Sequence, residues 1–261
     1  MAAGCLAGQE AAWREFVSRY LPVAGAVIGR HFPHQDARRQ EALLEVLSQA
    51  REQDGSFFRE YQGQSERDFL VHLRELALRA VEDRQPPPEI PLEWETFERA
   101  LGSLSAIDRQ VIWLLILRPG AIDIDRILSL PASTVAAKID AAQDLLRQGC
   151  DRWSASLLEE NSPTLRRTAC ERRTEDCPDP RRFLRLLDGQ ITWRDREETE
   201  QHLAQCWRCV DALCRLREAV FLQGQARPLE DAVVQSCWKA LGLEVRQPPL
   251  WRRALGRRAG S

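Results

Sequence analysis

The residues best suited to chemistry lie in one short stretch, Glu197-Glu198-Thr199-Glu200-Gln201-His202-Leu203-Ala204-Gln205-Cys206-Trp207-Arg208-Cys209. Its core is His-x3-Cys-x2-Cys. At about 3.6 residues per helical turn, His202, Cys206 and Cys209 fall on one face of a helix. Thiolate and imidazole donors grouped this way are the ligand types of a zinc half-site. A structural zinc takes four protein ligands, and Cys177, in Asp176-Cys177-Pro178, is the obvious fourth. Between them, Phe183, Leu184, Leu186 and Leu187 make a helical pattern that ends at Asp188-Gly189. The sequence therefore predicts a helical hairpin pinned at its open end by one structural Zn(2+) per chain. The competing reading takes the cysteines as small buried side chains and His202 as a helix-surface residue. Cys214 lies off the ligand face and reads as core; Cys170, in an arginine-rich stretch, reads as a loop thiol. Four protein ligands leave no open position for a substrate, so no enzyme is expected, and Glu200 is the sole support for a zinc hydrolase.

The chain that must position these ligands has 261 residues, a net charge of −2 and eight cysteines. That length accommodates two to three small domains. Helix formers dominate and β-branched runs are sparse, so the expected class is all-α. Eight cysteines would suggest disulfides in a secreted protein. Met1-Ala2-Ala3-Gly4-Cys5 mimics the end of a lipoprotein signal, but no apolar segment precedes it. The longest apolar run, Val111 to Leu117, fits a buried helix and is too short to span a bilayer. A cytoplasmic protein with reduced thiols is expected.

Apolar periodicity divides the chain. Trp13, Phe16, Val17, Tyr20, Ala24 and Ile28 mark a helix over 6–29, with a kink or break at Pro22. A second helix, 36–52, turns Leu43, Leu44, Val46 and Leu47 inward; a third, 66–84, does so with Phe69, Leu70, Leu73, Leu76, Ala77 and Val81. Between them Asp54-Gly55-Ser56 is a turn, and Phe57, Phe58 and Tyr61 pack under a loop. Gln85-Pro86-Pro87-Pro88-Glu89-Ile90-Pro91 cannot continue a helix, and 85–93 is the clearest boundary. Residues 94–150 hold four helices, with Ser105 capping the second and Pro119-Gly120 ending it. Leu130-Pro131-Ala132-Ser133 is a turn and N-cap before a helix from Thr134 to Arg147. Short helix, tight turn and longer helix make a helix-turn-helix. Residues 151–175 read as a mobile connector, 176–221 as the hairpin, and 222–261 as one further helix and a basic tail containing Trp251, Arg252, Arg253, Arg257 and Arg258.

These segments carry a resemblance to two bacterial families. Cys177, Leu187-Asp188-Gly189 and Glu200-x-His202-x3-Cys206-x2-Cys209-x4-Cys214 look like the zinc-binding anti-sigma domain, over about a quarter of the chain. Such a domain implies a sigma factor nearby, as a separate partner or in the same polypeptide. The stretch Leu6 to Pro22 resembles the opening helix of extracytoplasmic-function sigma factors of the sigma-70 family, with Gln9 in place of the family Asp and Trp13 in place of the Phe. The resemblance implies a region 2-like body over 1–84, whose second helix docks on RNA polymerase core through Glu41, Glu45 and Val46. It implies promoter contacts by Arg74 and Arg79 on the third helix, and base capture near Phe57, Phe58 and Tyr61. His72-Leu73 and Asp83 agree only in part with that helix's hallmarks.

Leu101-x-x-Leu104-Ser105-x-x-Asp108-Arg109-Gln110-Val111 and Thr134-Val135-x-x-Lys138-Ile139 resemble the family's region 4, which binds the upstream promoter element. Ser133, Thr134, Lys138 and Arg147 are the implied DNA contacts. Ala136 and Ala141 stand where basic residues are usual, and Asp140 and Asp144 would repel phosphates, so weak upstream contact is expected. The expectation is a sigma-like regulator of initiation restrained by a fused zinc domain. The alternative is a regulator that has lost DNA contact and sequesters another sigma factor or other partner.

Overall fold

The computed structural model describes residues 1–52, 55–61, 65–82, 88–117, 123–150, 153–154 and 156–243. Among these the chain is all-helical, and no helix is long and apolar enough to cross a membrane. The turn residue Asp54, the prolines at 86 and 87, Pro119-Gly120 and the basic tail lie outside the described residues.

The first body contains α1 (Ala2–Leu6), α2 (Glu10–Glu15), a π-helical turn (Phe16–Tyr20), α3 (Leu21–His31), α4 (Asp36–Arg51), α5 (Ser56–Glu60) and α6 (Glu66–Glu82). The expected single helix over 6–29 is divided at Gly8, whose φ of +68° lies in the left-handed region that favours glycine. Pro22 breaks nothing. It sits in the first turn of α3, and the wider π turn before it absorbs its missing N–H and ring clash. Phe57 and Phe58 are buried against Trp13, Phe16 and Phe69 with ring centroids 4.9–6.4 Å apart, so they pack inside and offer no face to a nucleic-acid base. The Tyr61 hydroxyl donates to the Ser65 carbonyl at 2.6 Å.

The second body holds α7 (Trp94–Ala100), α8 (Ala106–Leu117), α9 (Ile124–Leu128) and α10 (Ala132–Gly149). α9, a turn and α10 follow the expected short–tight–long order. α10 begins two residues earlier than expected: Pro131 is its N-cap, and the Pro131 carbonyl accepts from the Thr134 and Val135 amides. Ser133 is thus a residue of the helix itself and caps nothing.

The expected mobile connector is instead structured. It forms α11 (Leu157–Glu160) and α12 (Ser162–Glu171), burying Leu157, Leu158, Leu165 and Ala169. Asn161, 1 % exposed, sits between them. Its Oδ1 accepts from the Leu92 amide at 2.8 Å, and its Nδ2 donates to the Ile90 and Leu157 carbonyls at 2.9 Å. One carboxamide therefore ties the end of the proline-rich segment to the chain beyond the second body.

The hairpin is α13 (Pro180–Leu187) and α14 (Trp193–Leu203), followed by α15 (Trp207–Gln225), which runs past the expected limit at 221. α16 (Asp231–Ala240) packs on α4. α15 is the shared wall of the molecule. Val210, Leu213, Cys214 and Leu216 belong to the core of the second body, and Ala219 and Leu222 to that of the first. Its main neighbours are α6 and α8, one from each body.

Where α15 meets α6 the interface is ionic. Arg74 is fully buried and pairs with Glu218 and Glu75; Arg166 pairs with Glu75 and Glu82; Arg215 pairs with Glu75 and Asp211. Trp113 of α8 donates from Nε1 to Asp211 at 2.9 Å, joining the second body to the same cluster.

Candidate metal centre

Each arm of the hairpin is closed by local chemistry. Asp179 caps α13, accepting from the Arg181 amide at 2.8 Å, and Pro180 opens the helix where its missing N–H costs nothing. At the other end Gln190 N–H donates to Arg185 O and Gly189 N–H to Leu186 O. Gly189 has φ +67°, so this is a Schellman stop that a Cβ would strain. Thr192 then caps α14 by accepting from the Asp195 amide at 3.1 Å. The two stops reverse the chain and bring Cys177 back to the far end of α14.

The ligands do not share one straight helix. His202 lies in the last turn of α14, Cys206 is the extended N-cap residue of α15, and Cys209 lies in its first turn. The bend is required. Seven residues of continuous helix would separate His202 from Cys209 by about 10 Å along the axis, too far for one ion. With the bend, His202 Nε2 is 3.1 Å from Cys209 Sγ, and Cys177 Sγ is 3.8 Å from Cys206 Sγ. All four donor atoms lie within 4.8 Å of one another. A tetrahedral ion with metal–sulfur bonds of about 2.3 Å needs sulfurs about 3.8 Å apart, so the cluster fits a metal ion.

Cys209 is 1 % exposed and Cys206 9 %. A hydrogen bond from the Cys209 thiol holds the Cys206 thiol down against burial, while the same bond and burial push Cys209 up. Trp207, between the two cysteines, is buried with its ring 5.0 Å from Phe97 and 5.6 Å from Trp113, under the Arg109 guanidinium. The ligand loop is thereby anchored in the second body. Cys214 is core, as expected. Cys170 is not a loop thiol: it lies in the last turn of α12, and its sulfur accepts from Arg215 Nη2 at 2.8 Å.

The other site residues are scattered. Arg74 cannot meet DNA in this arrangement, because its place between Leu73 and Leu76 puts it on the α6 face that α15 covers. Arg79 is exposed. On α10 Ser133 is exposed and Thr134 half-buried; Lys138 pairs with Asp108 at 2.5 Å, and Arg147 with Asp144. Val46 is fully buried in the first core and offers no docking surface; Glu41 is exposed, and Glu45 accepts from Gln49 at 2.8 Å. The sequence reading overlooked the ionic cluster. Asp211 and Arg215, one turn apart on an otherwise apolar face, were its available signal.

Comparison with family models, curated proteins and solved structures finds no match for this chain.

Proposed function

We propose that the protein is a sigma-like regulator of transcription initiation, restrained by its own metal-pinned hairpin and without enzymatic activity. The observation that carries this reading is the position of α15. One end starts at the Cys/His cluster, and its length lies against α6 of the first body and α8 of the second. A helix so placed fixes the two bodies relative to one another and covers the α6 face that bears Arg74. In this reading RNA polymerase core meets Glu41 and Glu45 on α4, and promoter DNA meets Arg79, Ser133 and Thr134. Upstream contact is weak, because Asp108 and Asp144 neutralise Lys138 and Arg147.

The ion would be Zn(2+), one per chain, held by Cys177, His202, Cys206 and Cys209. Three thiols and one imidazole are a zinc donor set, and four protein ligands make the bound ion a cross-link. Such thiols suit the reducing cytoplasm. Metal analysis should give one zinc per chain, and Cys206→Ser should lose it.

The test is the full chain mixed with polymerase core and a promoter library, with the metal bound and after chelation. Binding to core, with transcripts that rise on chelation, is the expected result. No binding to core and no transcript in either state would overturn it. The paired cations on α10 favour a second reading, in which the chain sequesters a separate sigma factor; capture of such a factor without any transcript would support that one.

A further inference from the structure

The four donors of the Cys/His cluster are not equally held. His202 belongs to α14, Cys206 is the N-cap residue of α15, and Cys209 lies in the first turn of that helix. Cys206 and Cys209 are also buried. Cys177 is half-buried and lies in the stretch 172–179 between α12 and α13, where no helix fixes its backbone. That stretch is anchored at both ends. Arg172 pairs with Glu95 at 2.8 Å and lies over the Trp94 ring, and Asp179 caps α13. Between these anchors Thr174 holds Cys177 twice. Its carbonyl accepts from the Cys177 amide at 3.2 Å, which closes a turn, and its hydroxyl oxygen lies 3.3 Å from the Cys177 sulfur.

On the metal reading above, and without any part of the transcription reading, we infer from this geometry that Thr174 is a positioning residue of the metal centre. Its hydroxyl holds the Cys177 thiolate and sets the rate at which an ion is released. A thiolate that ligates an ion has no proton, so in this pair the hydroxyl donates. A hydrogen bond to a charged sulfur is stronger than one between neutral groups, and it draws off charge that the sulfur would otherwise give to the metal. It also fixes the direction of the sulfur, a task that helices perform for the other ligands. Partners of this kind change metal affinity by about 10–100-fold when they are removed. Thr174 is exposed, so water competes for the thiolate and the effect belongs at the lower end, about tenfold.

The test loads the full chain with Co(II). Its visible ligand-field bands report the number of ligands, and its near-ultraviolet sulfur-to-cobalt charge-transfer band reports the charge on sulfur. Thr174→Val keeps the side-chain volume and the backbone turn but loses the hydroxyl. Thr174 lies at the surface, so the change disturbs no core. Expected are unchanged ligand-field bands, a charge-transfer band moved to longer wavelength, and release to excess EDTA about tenfold faster than from the unaltered chain. Thr174→Ser, which keeps the hydroxyl, should restore both. A residue that merely shaped the turn would leave the charge-transfer band in place. If the unaltered chain binds cobalt, an unmoved band and release rate in Thr174→Val would overturn the role of Thr174 and leave the metal reading standing. So would a serine variant that behaves like the valine one. Failure of the unaltered chain to take up one cobalt would overturn both.

Discussion

Replacing Arg74 by Met removes a cation from the most buried ion pair in the described structure and leaves Glu218, 2 % exposed, without its guanidinium. Breaking a buried pair from one side costs about 3–5 kcal/mol. The carboxylate has an escape, which sets a ceiling. Burial already pushes Glu218 up, against the pull of Arg74, and without Arg74 it would take a proton. Protonating a carboxyl with an unfolded pKa of about 4.3 at pH 7 costs about 3.7 kcal/mol, and at pH 5 only about 1 kcal/mol. The folded variant then binds a proton that the unfolded chain lacks, so its stability falls as pH rises from 5 to 7. Urea unfolding followed by far-ultraviolet circular dichroism should show a loss near 4 kcal/mol at pH 7 that shrinks toward 1 kcal/mol at pH 5. Arg74→Met with Glu218→Met should recover much of it, because an apolar pair leaves no bare charge. A loss below about 1 kcal/mol at pH 7, a loss indifferent to pH, or a double variant worse than the single one would refute the argument.

Two further outcomes test other parts of the fold. Burial, with Arg74, Arg166 and Arg30 nearby, pushes the His31 imidazole down to about 4. The unfolded chain binds the extra proton between about 6.5 and that value, so stability is intact above pH 6.5 and drops by up to about 3 kcal/mol toward pH 4; His31→Gln should flatten this slope in the same unfolding assay. Asn161→Leu strips the Leu92 amide and the Ile90 and Leu157 carbonyls of a partner at once and should cost about 3 kcal/mol by urea unfolding, against under 1 kcal/mol for Ser156→Ala at the exposed surface nearby.

The all-helical class was readable because apolar stripes such as Phe69, Leu70, Leu73, Ala77 and Val81 repeat at helical spacing over several turns. The ligand set was readable because soft donors at short spacing have few other uses. Periodicity records which side of a helix is apolar but not what lands there: it put Val46 inward, where the structure has it, and the docking role of Val46 and the promoter role of Arg74 were implied by the resemblance alone. Nor does it register rise along the axis, so a His and a Cys seven positions apart passed as neighbours until the bend between α14 and α15 was seen. The connector failed for another reason. Asn161-Ser162-Pro163 is a strong break signal, yet the same residues open α12, and only the remote partners at 90 and 92 reveal what the asparagine is for.

The length of α15 has a thermodynamic consequence. Its nineteen residues span about 28 Å, with the Cys/His cluster at the first turn and the Ala219–Leu222 patch near the last. Neither core is closed without it, so melting either one strips a wall from the other. The two bodies should therefore come apart in a single cooperative transition, and an ion bound in one should raise the melting temperature of both.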